Sequence, residues 1–198
     1  MRAVKLLGLA LVVLAACAAP AFAEEPSNIF RGGLQYVWVE GNTTYEFDGI
    51  DVSVDSDPGF GFYLAYEYRM KMMGLEVSAA YSGHDGTGST SDLSKKTKQA
   101  IGEFNMIPVS LALNFHVFGR SWFDMYLGPV VGYYFMSDEL DNAFGYGAQI
   151  GADWNLSDKG LALNTAIKYM FVSADLKNLN VDYDVDPLSA QVGLAYRF

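Results

Sequence analysis

The chain has 198 residues, and its 13 Lys and Arg against 23 Asp and Glu give a formal net charge of −10. That balance argues against a nucleic-acid partner, because phosphate binding needs clustered cations. The single cysteine, Cys17, leaves no disulfide to build stability on.

The first predicted element is an export segment. Arg2 and Lys5 precede an apolar run from Leu6 to Ala16, followed by Pro20 and Ala21-Phe22-Ala23. A basic start, a short apolar stretch and a small-x-small exit predict a signal peptide over residues 1–23, cleaved after Ala23. It is short for a membrane anchor, which needs about 20 apolar residues. The alternative is a lipobox, since "LAAC" ends at Cys17. Cleavage removes Arg2 and Lys5 and leaves 11 cationic against 23 anionic side chains, a net charge of −12 on residues 24–198. Those 175 residues suit one domain, and no run in them approaches the 18 apolar residues of a membrane helix. Yet aromatics are 15% of the chain and need an apolar neighbour.

Eight segments then alternate with period two, each close to the roughly 9 to 11 residues of a tilted membrane strand. They run near Asn28 to Glu40, Gly59 to Arg69, Gly74 to Ser82, Met106 to Val117, Phe123 to Phe135, Phe144 to Asn155, Leu161 to Ser173 and Pro187 to Phe198. In the second, Phe60, Phe62, Leu64, Tyr66 and Tyr68 share one face, with Gly61, Tyr63, Ala65, Glu67 and Arg69 on the other. The connections "MKMM", "FGRS" and "LSDKG" are short, whereas those after the first, third, fifth and seventh segments are mostly longer and polar.

This pattern predicts an all-β chain: an eight-stranded antiparallel up-and-down transmembrane β-barrel with short periplasmic turns and long extracellular loops. A soluble lipocalin-like barrel has the same strand count with inverse polarity. The smaller face decides between them. It holds mostly Gly, Ala, Ser, Asn and Gln, which suit a narrow lumen better than a water-exposed wall. Aromatics gather at both ends of the apolar rows, as membrane girdles do. Tyr196 and Phe198 end the last apolar row, and a terminal Phe after alternating apolar residues resembles the sorting signal read by the barrel assembly machinery.

The stretches "IPVSLALNFHVFG", "YLGPVVGYYF", "FGYGAQIGADWNLSDKGLALNTAIKYMFVSADL" and "VDPLSAQVGLAYRF" resemble the OmpW family of small outer-membrane barrels. From Glu24 to Asn105 only the strand pattern fits. The resemblance implies an eight-stranded barrel in the outer membrane of a Gram-negative bacterium, with a narrow, rather hydrophobic channel that helps small apolar compounds across. It brings no catalytic motif, cofactor or metal. The partners expected are outer-membrane lipids and lipopolysaccharide, the barrel assembly machinery and small hydrophobic molecules.

The inward phase sorts by depth. Towards the short turns lie Arg31, Glu67, Arg69, Glu76, His116, Asp124, Asp153 and Arg197, with Lys168 higher beside Gln149 and Asn164. His116 aside, four cations and four anions are expected to pair into a luminal plug. Towards the long loops lie Val37, Val39, Gly61, Tyr63, Ala80, Val130, Gly132, Tyr134, Gly145, Gly147 and Met170. Glycine there is expected to leave volume for a greasy ligand, in a pocket open outward and closed below. Such a ligand would leave sideways, and Pro108 and Pro129, which donate no ladder hydrogen bond, mark candidate weak seams. The alternative is a structural or adhesive barrel acting through its loops. Ser82, His84, Asp85 and Ser89 are triad-type residues expected in a flexible loop, too loose for catalysis. Asp182, Asp184 and Asp186 could share one hairpin face, and Lys95, Lys96 and Lys98 a basic loop.

Overall fold

The computed structural model describes residues 27–39, 43–47, 50–90, 99–119, 122–136, 141–175 and 182–198. The export segment with Cys17, and Lys95, Lys96 and Lys98, lie outside them.

Among the described residues there are eleven strands: β1 Ser27–Val39, β2 Thr43–Phe47, β3 Ile50–Ser56, β4 Gly59–Met70, β5 Met73–Thr90, β6 Gln99–Gly119, β7 Phe123–Met136, β8 Ala143–Asn155, β9 Leu161–Asp175, β10 Asp182–Asp184 and β11 Pro187–Arg197. Eight of them close into a barrel, each antiparallel to its neighbours, in the order β1, β4, β5, β6, β7, β8, β9, β11 and back to β1. Phe198 exchanges backbone hydrogen bonds of 2.9 and 3.0 Å with Asn28, so the chain's last residue completes the closing seam. Closure leaves no strand edge bare within the wall.

The outward face is apolar. Among the described residues, each exposed position within the eight barrel strands is apolar apart from Ser173. Phe60, Leu34, Phe62 and Leu194 are more than half exposed. A water-soluble barrel would turn such residues inward; a lipid-facing wall turns them out, because charge at mid-bilayer costs about 2–4 kcal/mol. Aromatic pairs reinforce both rims: Tyr133 with Phe135 and Tyr169 with Phe171 at one end, Trp154 with Phe123 and Tyr196 with Phe198 at the other.

The turns at the end that holds Phe198 are tight. Lys71 takes a left-handed backbone between β4 and β5, and Gly160 takes one (φ 87°) before β9. A Cβ on Gly160 would run into the Arg197 carbonyl, and the Gly160 carbonyl accepts the Arg197 N–H at 2.9 Å, so this turn is pinned to the last strand.

At the other end the structure exceeds the eight alternating segments. β5 and β6 run on as a paired hairpin to Gly88 and Gln99, with a bulge at Gly86 and Thr87, where loop was expected. The β1 to β4 connection folds into the β2–β3 hairpin, and β3 pairs with the extended β5. β10 pairs with the end of β9. These extensions pair through backbone, which needs no apolar face, so hydrophobic alternation is a poor guide to them.

Candidate functional site: the lumen

The lumen holds three layers along its axis. The layer nearest the tight turns is a buried polar network to which all eight barrel strands contribute. At its centre is Arg31 of β1, whose guanidinium reaches Asp153 (2.8 Å), Glu67 (2.9 Å) and Glu76 (3.2 Å) and lies over the Tyr126 ring at 4.6 Å. Five donors in a rigid fork allow one arginine to serve three carboxylates. Asp124 takes Arg69, Arg197 at 2.7 Å and His116 at 3.0 Å. The other nitrogen of His116 lies 2.7 Å from Glu67. One ring can donate to two carboxylates only when both nitrogens carry hydrogen, as in imidazolium.

Uncharged groups complete the layer. Asn114 donates to Glu67 at 2.7 Å and accepts from Gln149 at 2.8 Å. Asn164 donates to Asp153 at 2.8 Å and to the Tyr126 hydroxyl at 3.0 Å, and accepts from the Tyr63 hydroxyl at 2.7 Å. Two glycines make room: a Cβ at Gly74 would meet the Glu67 carboxyl, and one at Gly151 the Tyr126 ring. Every carboxylate named here is fully or almost fully buried. Such charges are tolerable only when they are hydrogen-bonded, and each of these carboxylate oxygens has at least one partner. The Arg197 Nε is buried with none among the described residues.

Two members differ from the sequence expectation. Lys168 stands apart from the network: its ammonium donates to the Ser78 and Ser110 hydroxyls at 3.3 and 3.4 Å and meets no carboxylate among the described residues. Its place among the cations falls to His116, which the sequence-based charge balance leaves out. Depth explains the exchange, because Lys168 pairs across the sheet with Gln149 and Ser189, above the acidic ring. Asn114 and Tyr126 were missed, although both fall on the inward phase of their strands.

The layer nearest the long connections is apolar and packed. Val37, Val130, Tyr134 and Met170 form one cluster with Met106, Met136, Val172 and Val185, and Val39 packs against it. Val185, in the link between β10 and β11, is wholly buried and its N–H donates to the Val172 carbonyl at 2.8 Å, so that link covers the cluster. The glycines expected to leave space here do not. Gly145 is met by the side chains of Val172 and Tyr134, and Gly132 by Ser110 and Met170. Gly61 and Gly147 are approached by the backbone carbonyls of Tyr81 and Tyr169. In so narrow a barrel, neighbours fill what a missing side chain frees.

The cavity lies between these layers. Its volume is about 30 Å³, room for about two water molecules. Four expected pocket residues, Val37, Tyr63, Ala80 and Tyr134, line it. The rest of its wall is Lys168, Ser78, Ser110, Ser189, Gln35 and Gln191, with Pro187 on β11 and, across the barrel, Ser82, Met106 and Pro108 on the β5–β6 side. There the wall is thin in hydrogen bonds. The β5–β6 ladder runs to Ala79 with Val109 and resumes in the same register at Ser82 with Met106, skipping the two pairs that contain Pro108 and Ile107. Proline has no N–H to give. The β6–β7 ladder likewise skips the pairs at Pro129 and Gly128, residues that do not line this cavity.

Ser82 and His84 also turn inward on β5. The serine hydroxyl lies 3.0 Å from His84 Nε2, and Nδ1 lies 3.2 Å from the Asp57 backbone carbonyl. The pair is held in a strand, where a flexible loop was expected. It is almost fully buried, at 1% and 3% exposure.

A family model described as the outer membrane protein beta-barrel domain matches residues 9–198. Among curated proteins none matches the chain. Solved structures match over most of it. OprG from Pseudomonas aeruginosa is 22% identical, covering 87% of this chain and 95% of that one, with a TM-score of 0.70. Neisserial surface protein A is 14% identical over 88% of this chain and 100% of its own, with a TM-score of 0.61. AlkL in lipid bilayers is 19% identical over 90% and 94%, with a TM-score of 0.55. OprG and AlkL are small eight-stranded barrels of the OmpW type, the group the sequence resembles. An apolar outer wall, closure over eight strands and a family match along nearly the whole chain agree, and the protein belongs to the outer membrane protein beta-barrel domain family of the Gram-negative outer membrane.

Proposed function

We propose that the barrel binds small hydrophobic molecules from outside the cell and passes them sideways into the outer membrane. The observation that carries this reading is the join of cavity and seam: the lumen is blocked below by the ion-pair network, while the cavity abuts the stretch of β5–β6 wall that Pro108 leaves unpaired. A molecule that reaches the cavity has a shorter path through that seam than through a buried array of charges. The volume present is small, so uptake requires the apolar cluster around Met106 and Met170 to yield, and methionine is the side chain most able to do so. Outer-membrane lipids and lipopolysaccharide are the proposed surroundings of the aromatic rims, and Tyr196 with Phe198 the proposed signal for the assembly machinery.

A reversible staple tests the route. Ala80→Cys combined with Pro108→Cys places two thiols on facing strands at the seam. In cells, octane uptake is expected to fall when the pair is oxidised and to recover on reduction. Uptake that ignores the staple removes this seam from the mechanism.

The packing of the outer cluster favours a second reading, a non-transporting structural or adhesive barrel that acts through its outer hairpins. Deleting the β2–β3 hairpin separates the two, since uptake survives the deletion in the first reading and surface attachment is lost in the second. Catalysis forms no part of either. The Ser82–His84 pair is almost fully buried in the barrel wall, away from the surface a substrate would reach.

A further inference from the structure

Lys168 is the odd charge of this lumen. Its side chain is buried inside a barrel wall, and its two polar neighbours are serine hydroxyls that are also bonded to each other at 2.9 Å. The nearest acidic residue along β5, Glu76, lies one inward position deeper and is already engaged by Arg31 at 3.2 Å, Asn114 at 3.1 Å and Gln149 at 3.2 Å. With His116 as imidazolium, the network below holds four positive groups (Arg31, Arg69, Arg197 and His116) against four carboxylates (Glu67, Glu76, Asp124 and Asp153). It is neutral without Lys168.

An ammonium group carries three N–H donors, and the two serines take two. The remaining surroundings are the cavity, whose other polar lining includes Gln35, Gln191, Ser82 and Ser189. Amides and hydroxyls can donate as well as accept, so they adapt to an anion at no cost in charge. A buried cation without a counter-charge is expensive, and an anion beside it removes that expense. The cavity's size, about two waters, suits a carboxylate group rather than a bulky oxyanion.

We propose that Lys168, with Ser78 and Ser110, forms an anion site that binds a carboxylate group in mid-lumen. The carboxylate is carried either by a small free monocarboxylate or by the head of a fatty acid whose tail lies among Met106, Tyr134 and Pro108. In the second case the proposal deepens the uptake reading, by making the transported molecule an anionic amphiphile. The shared chemistry is a singly charged carboxylate held by an ammonium and two hydroxyls.

Calorimetric titration of the detergent-refolded mature barrel in chloride-free buffer tests it, with acetate, octanoate and octanol as probes. Saturable binding of a carboxylate is expected, weakened at least tenfold in Lys168→Met and severalfold in Ser78→Ala with Ser110→Ala. Folding of each variant is checked by its heat-modifiable gel mobility, and the serine variant keeps the test decisive should the lysine variant fail to fold. Acetate binding as tightly as octanoate identifies a free small anion; octanoate binding far more tightly identifies an amphiphile's head. Octanol, which has the tail without the charge, reports on the uptake reading alone, and its binding to the parent barrel is expected whether or not a carboxylate binds. Carboxylate binding that is undiminished in both variants, or absent from the parent barrel, overturns the anion site.

Discussion

Glu67 shows what a buried charge needs in order to be tolerated. It is wholly inaccessible and holds Arg31, His116 and Asn114 at 2.7 to 2.9 Å. Truncating it strips a partner from two cations at once. Removing one member of a buried pair costs about 3–5 kcal/mol, so Glu67→Ala is expected to lower the unfolding free energy of the refolded barrel by that amount in a urea titration. Lys168→Met makes the contrast, because it deletes a buried charge that holds no carboxylate; its urea midpoint is expected to match or exceed the parent's. The same two residues show how far the sequence could be read. Period-two phase placed both in the lumen, along with Arg31, Asp124 and Asp153. It also set Lys168 higher, but it could not say that His116 bridges two acids while Lys168 meets none, because the phase of one strand does not tell which side chains meet across the lumen. Asn114 and Tyr126 escaped notice for a different reason: neither carries formal charge, and their importance appears only when their neighbours do.

At the scale of strands, legibility followed the solvent. Where one face meets lipid and the other a cramped lumen, alternation is strong, and the eight wall segments fall within a few residues of the strands observed, apart from the outer ends of β5 and β6. Beyond the membrane both faces meet water, the pattern fades, and β2, β3 and the extended β5–β6 hairpin went unread, whereas the alternation at Asp182 and Asp184 pointed to the hairpin in which β10 pairs with β9. Glycine was the residue most misjudged. Gly132 and Gly145 looked like gaps in a wall, but each is occupied by the side chains opposite. Proline was more informative, since Pro108 and Pro129 each coincide with skipped ladder pairs. Pro108→Val restores a donor to the β5–β6 seam. The amide it introduces is expected to be among the slowly exchanging ones in hydrogen exchange of the refolded barrel, and octane uptake to fall. Rapid exchange of that amide would mean that something other than the missing N–H holds the seam open.

For the whole molecule, the network that spans the lumen sets its electrical behaviour. Side chains from all eight wall strands meet in one buried layer. In a planar bilayer the parent barrel is expected to carry no steady ion current, whereas Arg31→Ala, which unties Glu67, Glu76 and Asp153 together, is expected to conduct and to favour cations. Steady current through the parent would show a path around the network.

The hydrogen bonds that tie Asn28 to Phe198 also bear on how such a wall is made. Each other seam joins strands that lie next to one another among the eight in chain order; this one joins the first to be synthesised with the last. No partial chain can be a closed cylinder. Until the final residues arrive, β1 has a bare edge of amides and carbonyls that would pair with any strand on offer, including that of another unfinished copy. The first wall strand must therefore be kept from wrong partners until β11 is in place, and Phe198 is one of the residues that then take up its edge.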